Sequence, residues 1–278
     1  MKSILIPTDF SACAEDAMHV GMTLAKKFGA KVHLYSKIDL PWNWKTMIAS
    51  ERDANKEAQK NIRNTELFFE DIKKRYQGLT IETHYSGGSL VENIRDIVTT
   101  LGIDFIVMGS HGKSGKSEYF IGSNTQRVVR LVHCPVLVIK EPIENVKFEK
   151  VVFASAFYKN DKEPFLKFKD FIKHFIPEIH LVAIQTTSLF GPPYIVQQEA
   201  LEDFQKLAKP FECKTHIYRD FSVDRGVRSF SEDIGADLIV LSNYHRHPMK
   251  RMIVGSNVET LVNHSNLPIL TIDYPTSD

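Results

Sequence analysis

The apolar residues of this chain fall in short uninterrupted runs, and most runs are followed by a stretch with helical spacing. Ile4, Leu5 and Ile6 stand together between Lys2 and Pro7-Thr8-Asp9. A run of that kind suits a parallel strand covered on both faces. Ser11 is placed to cap a helix, and Ala14, Ala17, Met18, Gly21, Leu24, Ala25 and Phe28 keep helical spacing up to Gly29. Lys31 to Ile38 alternates as a second strand. Residues 40–51, with Trp42 and Trp44, read as a loop, and Arg52 to Arg75 as one long helical stretch anchored by Ile62, Leu67, Phe68 and Ile72. Leu79 to Tyr85 predicts strand three. Leu90, Ile94, Ile97 and Val98 line one side of a helix from about Ser89 to Thr100. Phe105 to Met108 is a fourth strand that stops at Gly109. Val128, Val129, Leu131 and Val132 mark a further helix, and Val136 to Ile139 a fifth strand. Regular alternation of strand and helix predicts an α/β fold with a mostly parallel five-stranded sheet flanked by helices.

The pattern then starts again. Val151 to Phe157 lies over Ile4 to Phe10 at an offset of 147 residues, which also places His180 on His33. Gly235 to Leu241 lies over Gly102 to Met108 at an offset of 133, as do Gly255-Ser256-Asn257 over Gly122-Ser123-Asn124 and Pro268 over Pro135. Five matched segments in one order indicate a tandem duplication, with shorter middle loops or helices in the second copy. Polar residues around Pro142 read as a linker, so the expected domains are residues 1–142 and 147–278.

Composition narrows the function classes. The 35 basic and 34 acidic side chains nearly cancel, which gives no footprint for nucleic acid or a charged membrane surface. No apolar run approaches the ~18 residues of a membrane span, and MKSILIPTDF reads as a first strand rather than a signal peptide. Cys13, Cys134 and Cys213 show no motif spacing, which suits reduced thiols and a cytoplasmic location.

The candidate chemistry lies between Asp104 and Lys140. The spacing Gly109-x2-Gly112-x9-Gly122-Ser123 joins a strand end to a helix start. Unpaired N–H groups of such a loop and helix start bind phosphate oxygens, helped by the Ser123 hydroxyl. Gly109 is expected to turn off the strand without blocking the crevice, and Gly112 to admit a close-lying phosphate. Lys113 and Lys116 add positive charge nearby, and Asp9 at the end of strand one is placed to accept hydrogen bonds from a ribose or base. Ligands of open α/β sheets occupy the crevice beyond the carboxyl ends of the strands. Two lookalike motifs fail. A Walker A loop needs glycine five positions before its Gly-Lys-Ser, where this chain has Val107 or Ser110, and the dinucleotide fingerprint finds no glycine in Pro7-Thr8-Asp9-Phe10-Ser11.

With that glycine spacing, Ile4 to Asp9 at the start and His133-Cys134-Pro135-Val136-Leu137-Val138-Ile139 at the end, the sequence resembles the universal stress protein family in its tandem two-domain form. The resemblance implies two tandem Rossmann-like domains of the adenine nucleotide α-hydrolase type. It implies ATP, with Mg²⁺ accompanying the nucleotide, held along Pro7, Thr8, Asp9, Ile38, Met108, Gly109, Gly112, Gly122, Ser123 and Asn124, with the Ile38 backbone at the adenine. It implies a nucleotide-dependent stress-response or signalling regulator in which slow ATP hydrolysis is compatible with the site but no general base is placed. An adenylate-transferring enzyme and a ligand-free scaffold are the competing readings.

The second copy departs from the motif. Ser242 stands over Gly109, His245 over Gly112 and Ala156 over Asp9, while Gly255 and Ser256 are retained. His245 is bulky where a phosphate would approach, and the Ala156 side chain accepts no hydrogen bond. The expectation is one ATP-competent copy and one degenerate copy. His245 and His247 lack further ligands for a zinc site. Val136–Ile139 and Leu270–Ile272 each close a half, and apolar edges of that kind invite pairing, so the two halves are expected to join through them as an internal pseudo-dimer. A homodimer of whole chains is compatible with the sequence but has no visible signal in it.

Overall fold

The computed structural model describes residues 1–111, 122–186, 193–243 and 260–273. Among these, the chain divides into two compact units, the first running to Cys134 and the second starting at Pro135.

In the first unit, β1 (Ser3–Pro7) is buried at every position, as its unbroken apolar run requires. Ile4, Leu5 and Ile6 have no exposed surface, and burying a side chain of that size stabilises a fold by roughly 1.5–3 kcal/mol. The chain continues through α1 (Ala12–Phe28), β2 (Lys31–Lys37), α2 (Ala49–Ala54), α3 (Lys56–Arg75), β3 (Ile81–Ser86), α4 (Leu90–Leu101), β4 (Phe105–Gly109) and α5 (Ser123–Leu131). The strand order is β3-β2-β1-β4, with the β1–β2, β2–β3 and β1–β4 ladders all parallel. Ser11 caps α1 by accepting the Ala14 N–H, and Gly29 ends the helix in the left-handed region. Gly21 lets α1 lie close on the sheet, because a Cβ there would stand 2.5 Å from Ile6 Cδ1.

The long helix expected from Arg52 is two helices. The break is at Asn55, whose side chain accepts the Ala58 N–H and so caps α3. An asparagine amide competes for backbone donors inside a helix and prefers its start. β3 is half-exposed, as befits the strand at the end of the order.

The second unit holds β5 (Val136–Ile139), β6 (Lys150–Ala154), α6 (Lys162–Ile172), β7 (Glu178–Gln185), α7 (Tyr194–Ala208), β8 (Cys213–Arg219), α8 (Val223–Asp233), β9 (Leu238–Asn243) and β10 (Ile269–Asp273). A single 3₁₀ turn, Lys159–Asp161, precedes α6. The order is β5-β10-β9-β6-β7-β8. All described ladders in it are parallel except β5–β10, which is antiparallel with Ile269 opposite Val138 and Thr271 opposite Val136. The expected pairing of the two closing strands is therefore present. It is an interaction that buries β5 completely and draws that strand from the first half of the sequence into the second compact unit. The core here is rich in aromatic rings. Phe153 meets Phe165 edge-on at 5.1 Å, and Phe204 contacts both Phe157 and Phe165. None of the three cysteines forms a disulfide. Among the described residues no helix is long and apolar enough to cross a membrane.

Candidate functional site

In the first unit the chain moves from β1 outward to β2 and β3, then returns to place β4 on the other side of β1. The direction of winding thus reverses between β1 and β4, which is where the helices on the two faces part and leave a crevice beyond the strand ends. Pro7, Thr8 and Asp9 leave β1 at this point, and Met108 and Gly109 end β4 beside them.

The exit from β1 is a tight turn held by its own side chains. Thr8 Oγ1 accepts the Phe10 N–H at 3.0 Å, and Asp9 Oδ1 accepts the Ser11 N–H at 3.0 Å. Phe10 takes a φ of 60°, a left-handed conformation that a side chain adopts at a cost. Its ring stacks on Phe68 of α3 at 4.5 Å. Asp9 is half-exposed at the mouth of the crevice. Ile38, just after β2, is buried and its N–H donates to Ser86 O at 3.0 Å.

Gly109 has a different reason for being glycine from the one the motif suggests. A Cβ there would stand 2.8 Å from Cys13 O and 2.9 Å from Cys13 Sγ. The residue is demanded by the approach of the α1 backbone to β4, and not only by an open crevice. Ser110, fully buried, has its hydroxyl 3.8 Å from Cys13 Sγ and 2.9 Å from His111 Nδ1. His111 therefore has a hydroxyl partner.

Ser110 and Gly122 are well separated in sequence, yet α5 is tied back to the end of β4 by two hydrogen bonds. The Gly122 N–H donates to Ser110 O at 2.8 Å, and Thr125 Oγ1 donates to Gly109 O at 2.9 Å. Gly122 is the N-cap of α5 and, having no side chain, supplies no cap of its own. Its carbonyl accepts from the Thr125 and Gln126 N–H groups. Ser123 and Asn124 stand exposed at the helix start, where backbone N–H groups precede any intrahelical acceptor. The structure thus brings Pro7, Thr8, Asp9, Met108, Gly109, Gly122, Ser123 and Asn124 to one end of the β1–β4 pair. Ile38 lies at the end of the adjacent β2. Gly112, Lys113 and Lys116 lie outside the described residues.

The corresponding region of the second unit is built differently. Ser155 at the end of β6 repeats the turn of Thr8: its hydroxyl accepts the Phe157 N–H at 3.0 Å, and Phe157 has a φ of 57°. The space beside it holds Asp161, only 2% exposed. Asp161 Oδ2 accepts from Ser155 Oγ at 2.6 Å and from the Tyr158 N–H at 2.8 Å, and Oδ1 accepts from Ser242 Oγ at 3.4 Å. Burial raises the Asp161 carboxyl above its ordinary range, with these hydrogen bonds acting in the opposite direction. Asp161 is not legible as a site residue in the sequence, since it sits in an ordinary polar stretch, Lys159-Asn160-Asp161-Lys162, with no motif. His245, His247, Gly255 and Ser256 lie outside the described residues.

The sequence profile of the Universal stress protein family matches residues 1–140 and 185–273. The chain belongs to the universal stress protein family. Universal stress protein MJ0531 of Methanocaldococcus jannaschii is 31% identical over 149 residues, covering 51% of this chain and 83% of the relative. Universal stress protein MJ0577 of the same organism is 31% identical over 153 residues, covering 50% of this chain and 94% of the relative. Each matches about half of this chain, as expected of a tandem array beside relatives one domain long. Along the whole chain the fold is similar to a universal stress protein from Archaeoglobus fulgidus, with a TM-score of 0.76, 20% identity and coverage of 99% and 97%. A putative universal stress protein from Pseudomonas aeruginosa gives a TM-score of 0.69 at 14% identity, covering 99% and 94%. At those identities the two structures speak for the fold alone: two tandem α/β universal stress domains.

Proposed function

We propose that the first universal stress domain, residues 1–142, binds ATP with accompanying Mg²⁺, and that the second, residues 147–278, is a partner domain without a nucleotide site. The protein then acts as a nucleotide-dependent regulator in stress response or signalling. The observation that supports this reading most directly is the anchoring of the uncapped α5 N-terminus at the β1–β4 switch point, through Gly122 N–H to Ser110 O and Thr125 Oγ1 to Gly109 O. An exposed helix start carries partial positive charge and free donors, and a triphosphate supplies the acceptors. Asp9 would take the ribose hydroxyls, Ile38 the adenine edge, and Ser123 and Asn124 the phosphates. Lys113 and Lys116 are proposed as additional phosphate contacts.

Regulation follows by linkage: nucleotide binding shifts the protein toward whichever state binds the nucleotide more tightly. Chemistry beyond binding is given little support. His111 hydrogen-bonds Ser110, which in turn contacts Cys13, and no described carboxylate is oriented on it.

In the second unit the carboxylate of Asp161 occupies the strand-end hydroxyls that an anionic ligand would need. A negative charge there repels phosphate. Titration calorimetry with ATP and Mg²⁺, together with analysis of co-purifying nucleotide, tests the proposal. The expected stoichiometry is one ATP per chain, weakened by about 10- to 100-fold in Gly122→Lys, since each charge-assisted hydrogen bond lost there is worth about 1.5–3 kcal/mol. No binding at millimolar ATP overturns the nucleotide reading in favour of a ligand-free scaffold. Two ATP per chain overturns the asymmetry. Turnover of ATP that requires a second substrate favours the adenylate-transferring reading.

A further inference from the structure

Away from the nucleotide crevice, each unit carries a histidine pair bridging two neighbouring strands. In the first unit His33 of β2 and His84 of β3 place Nδ1 and Nε2 at 3.1 Å. In the second, His180 of β7 and His216 of β8 place the same atoms at 3.0 Å. The ring centroids are 5.3 and 5.1 Å apart with interplanar angles of 17° and 13°. With nitrogens so close and centroids so far, the rings meet edge to edge rather than face to face. The ion pair flanking each couple is reversed in sense: Lys31 of β2 with Glu82 of β3 in one, Glu178 of β7 with Lys214 of β8 in the other.

That reversal decides where the carboxylate points. Glu82 Oε2 lies 3.6 Å from His33 Nδ1, the nitrogen that already faces His84. Glu178 Oε1 lies 3.1 Å from His180 Nε2, the nitrogen on the far side of the ring from His216. Among the described residues, only in the first unit do two imidazole nitrogens and a carboxylate oxygen converge, all within 4.8 Å of one another.

From this convergence we infer that His33, His84 and Glu82 form a binding site for a late divalent transition metal ion, Zn²⁺ or Co²⁺ in class, that bridges β2 and β3. Metal–nitrogen bonds of about 2.0–2.1 Å to nitrogens 3.1 Å apart enclose an angle of about 98°, between the octahedral and tetrahedral values. Glu82 is exposed and closes the remaining gap by a side-chain rotation, keeping Lys31 on its other oxygen. That ammonium then orients the carboxylate from outside the coordination shell. His33 is 3% exposed while His84 and Glu82 reach solvent, so the ion has an entry path and water completes its shell. Binding needs both imidazoles neutral. Burial holds both below the usual histidine range, with Lys31 acting in the same direction and Glu82 against it. The proton shared in the His33–His84 contact moves to an outer ring nitrogen, so neither ring gains or loses charge. Ile38 lies five residues beyond His33, about 16 Å along an extended strand. The site is therefore separate from any Mg²⁺ that accompanies nucleotide. Its effect would be to clip β3, the last strand in the order of the first unit, to β2, and any ligand of the folded state alone raises stability.

The test is titration of the full chain with Co²⁺, followed by its absorption spectrum, and with Zn²⁺ against a chromophoric chelator. The expected result is one equivalent per chain, with Glu82→Gln weakening binding about tenfold and His84→Ala by about 100-fold or more. His216→Ala leaves both titrations unchanged. Glu82 is on the surface, so its variant reports on ligation even where His84→Ala disturbs the fold. Absence of a saturable Co²⁺ spectrum, retention of the full equivalent in both Glu82→Gln and His84→Ala, or its loss in His216→Ala overturns the assignment.

Discussion

Gly109 and Ser242 hold equivalent places in β4 and β9 of the two units, and the difference between them reorganises everything nearby. At Gly109 the missing side chain lets the α1 backbone at Cys13 close to within contact of β4. At Ser242 a side chain is present, and the helix that follows β6 starts later, after a 3₁₀ turn that delivers Asp161 to the Ser242 hydroxyl. One copy keeps helix and strand in direct contact. The other fills the same place with its own carboxylate. On the proposed reading, a duplicated domain loses a ligand site without losing the fold, because the carboxylate in its place satisfies the strand-end hydroxyls. Buried polar groups demand partners, and Asp161 supplies them from within the chain.

The largest expected effect comes from exchanging the two strand-end residues. Gly109→Ser pushes a side chain into Cys13 and should cost about 1–3 kcal/mol by overpacking. Ser242→Gly should cost less, since the described bond it removes is the 3.4 Å contact with Asp161. Denaturant unfolding of the two variants measures both. Equal losses would mean that the close approach at Gly109 is not what holds glycine there.

Next in size is Asp161→Ala, which strands the Ser155 hydroxyl and the Tyr158 N–H and removes the acceptor facing Ser242; it should cost about 1–3 kcal/mol. Asp161→Asn keeps an amide oxygen for the Ser155 and Tyr158 donors and turns its NH2 toward the Ser242 hydroxyl oxygen, and should be tolerated better. The pH dependence has a definite sign. A carboxyl whose folded value is raised favours folding most at low pH, below the ordinary value of 3.8, and loses that contribution as pH rises through the folded value. Asp161→Asn should therefore gain stability relative to the parent as pH rises toward neutrality. A loss that grows with pH would show that the carboxylate is stabilised as the charged form.

A smaller effect is expected at the histidine pair of the second unit. Burial holds His180 and His216 below the ordinary 6.5, with Lys214 acting in the same direction on both, Lys150 likewise on His180, and Glu178 opposing on both. Stability from the neutral pair is complete above 6.5 and is lost as pH falls through the lowered folded values. His216→Asn should flatten the acid limb of the stability curve, and an unchanged slope between about pH 7 and 5 would remove the pair from the acid response.

The smallest effect concerns the reversed ion pairs. Exchanging the charges of Lys214 and Glu178 in a double variant should shift the unfolding midpoint only slightly, because the pair is kept and its lysine is half in solvent. A large shift would show that the position of the carboxylate relative to His180 matters to stability.

Much of this is legible in residues close in sequence. The strand runs, the helix starts at Ser11 and Ser89, and the glycine ends at Gly29 and Gly102 are written in local spacing, and all appear where that spacing puts them. Asn55 is a local signal that apolar spacing hides, since its capping of α3 divides a stretch that otherwise reads as continuous. The tandem copy is legible too, because duplication preserves pattern even where side chains change. The candidate nucleotide residues follow from spacing and resemblance, and their gathering at one strand end depends on the placement of α5.

Local pattern alone set the order and type of elements, the duplication, and the loss of Asp9 and Gly109 equivalents in the second copy. These depend on periodicity and on steric rules that act within a few residues. Long-range packing settled that Gly109 faces Cys13, that Asp161 reaches Ser155 and Ser242, and that Glu82 converges on the nitrogens shared by His33 and His84 while Glu178 does not. Most of those contacts join residues on different strands and helices. Their geometry follows from the register of parallel strands, which is fixed by crossover packing rather than by any short stretch of chain.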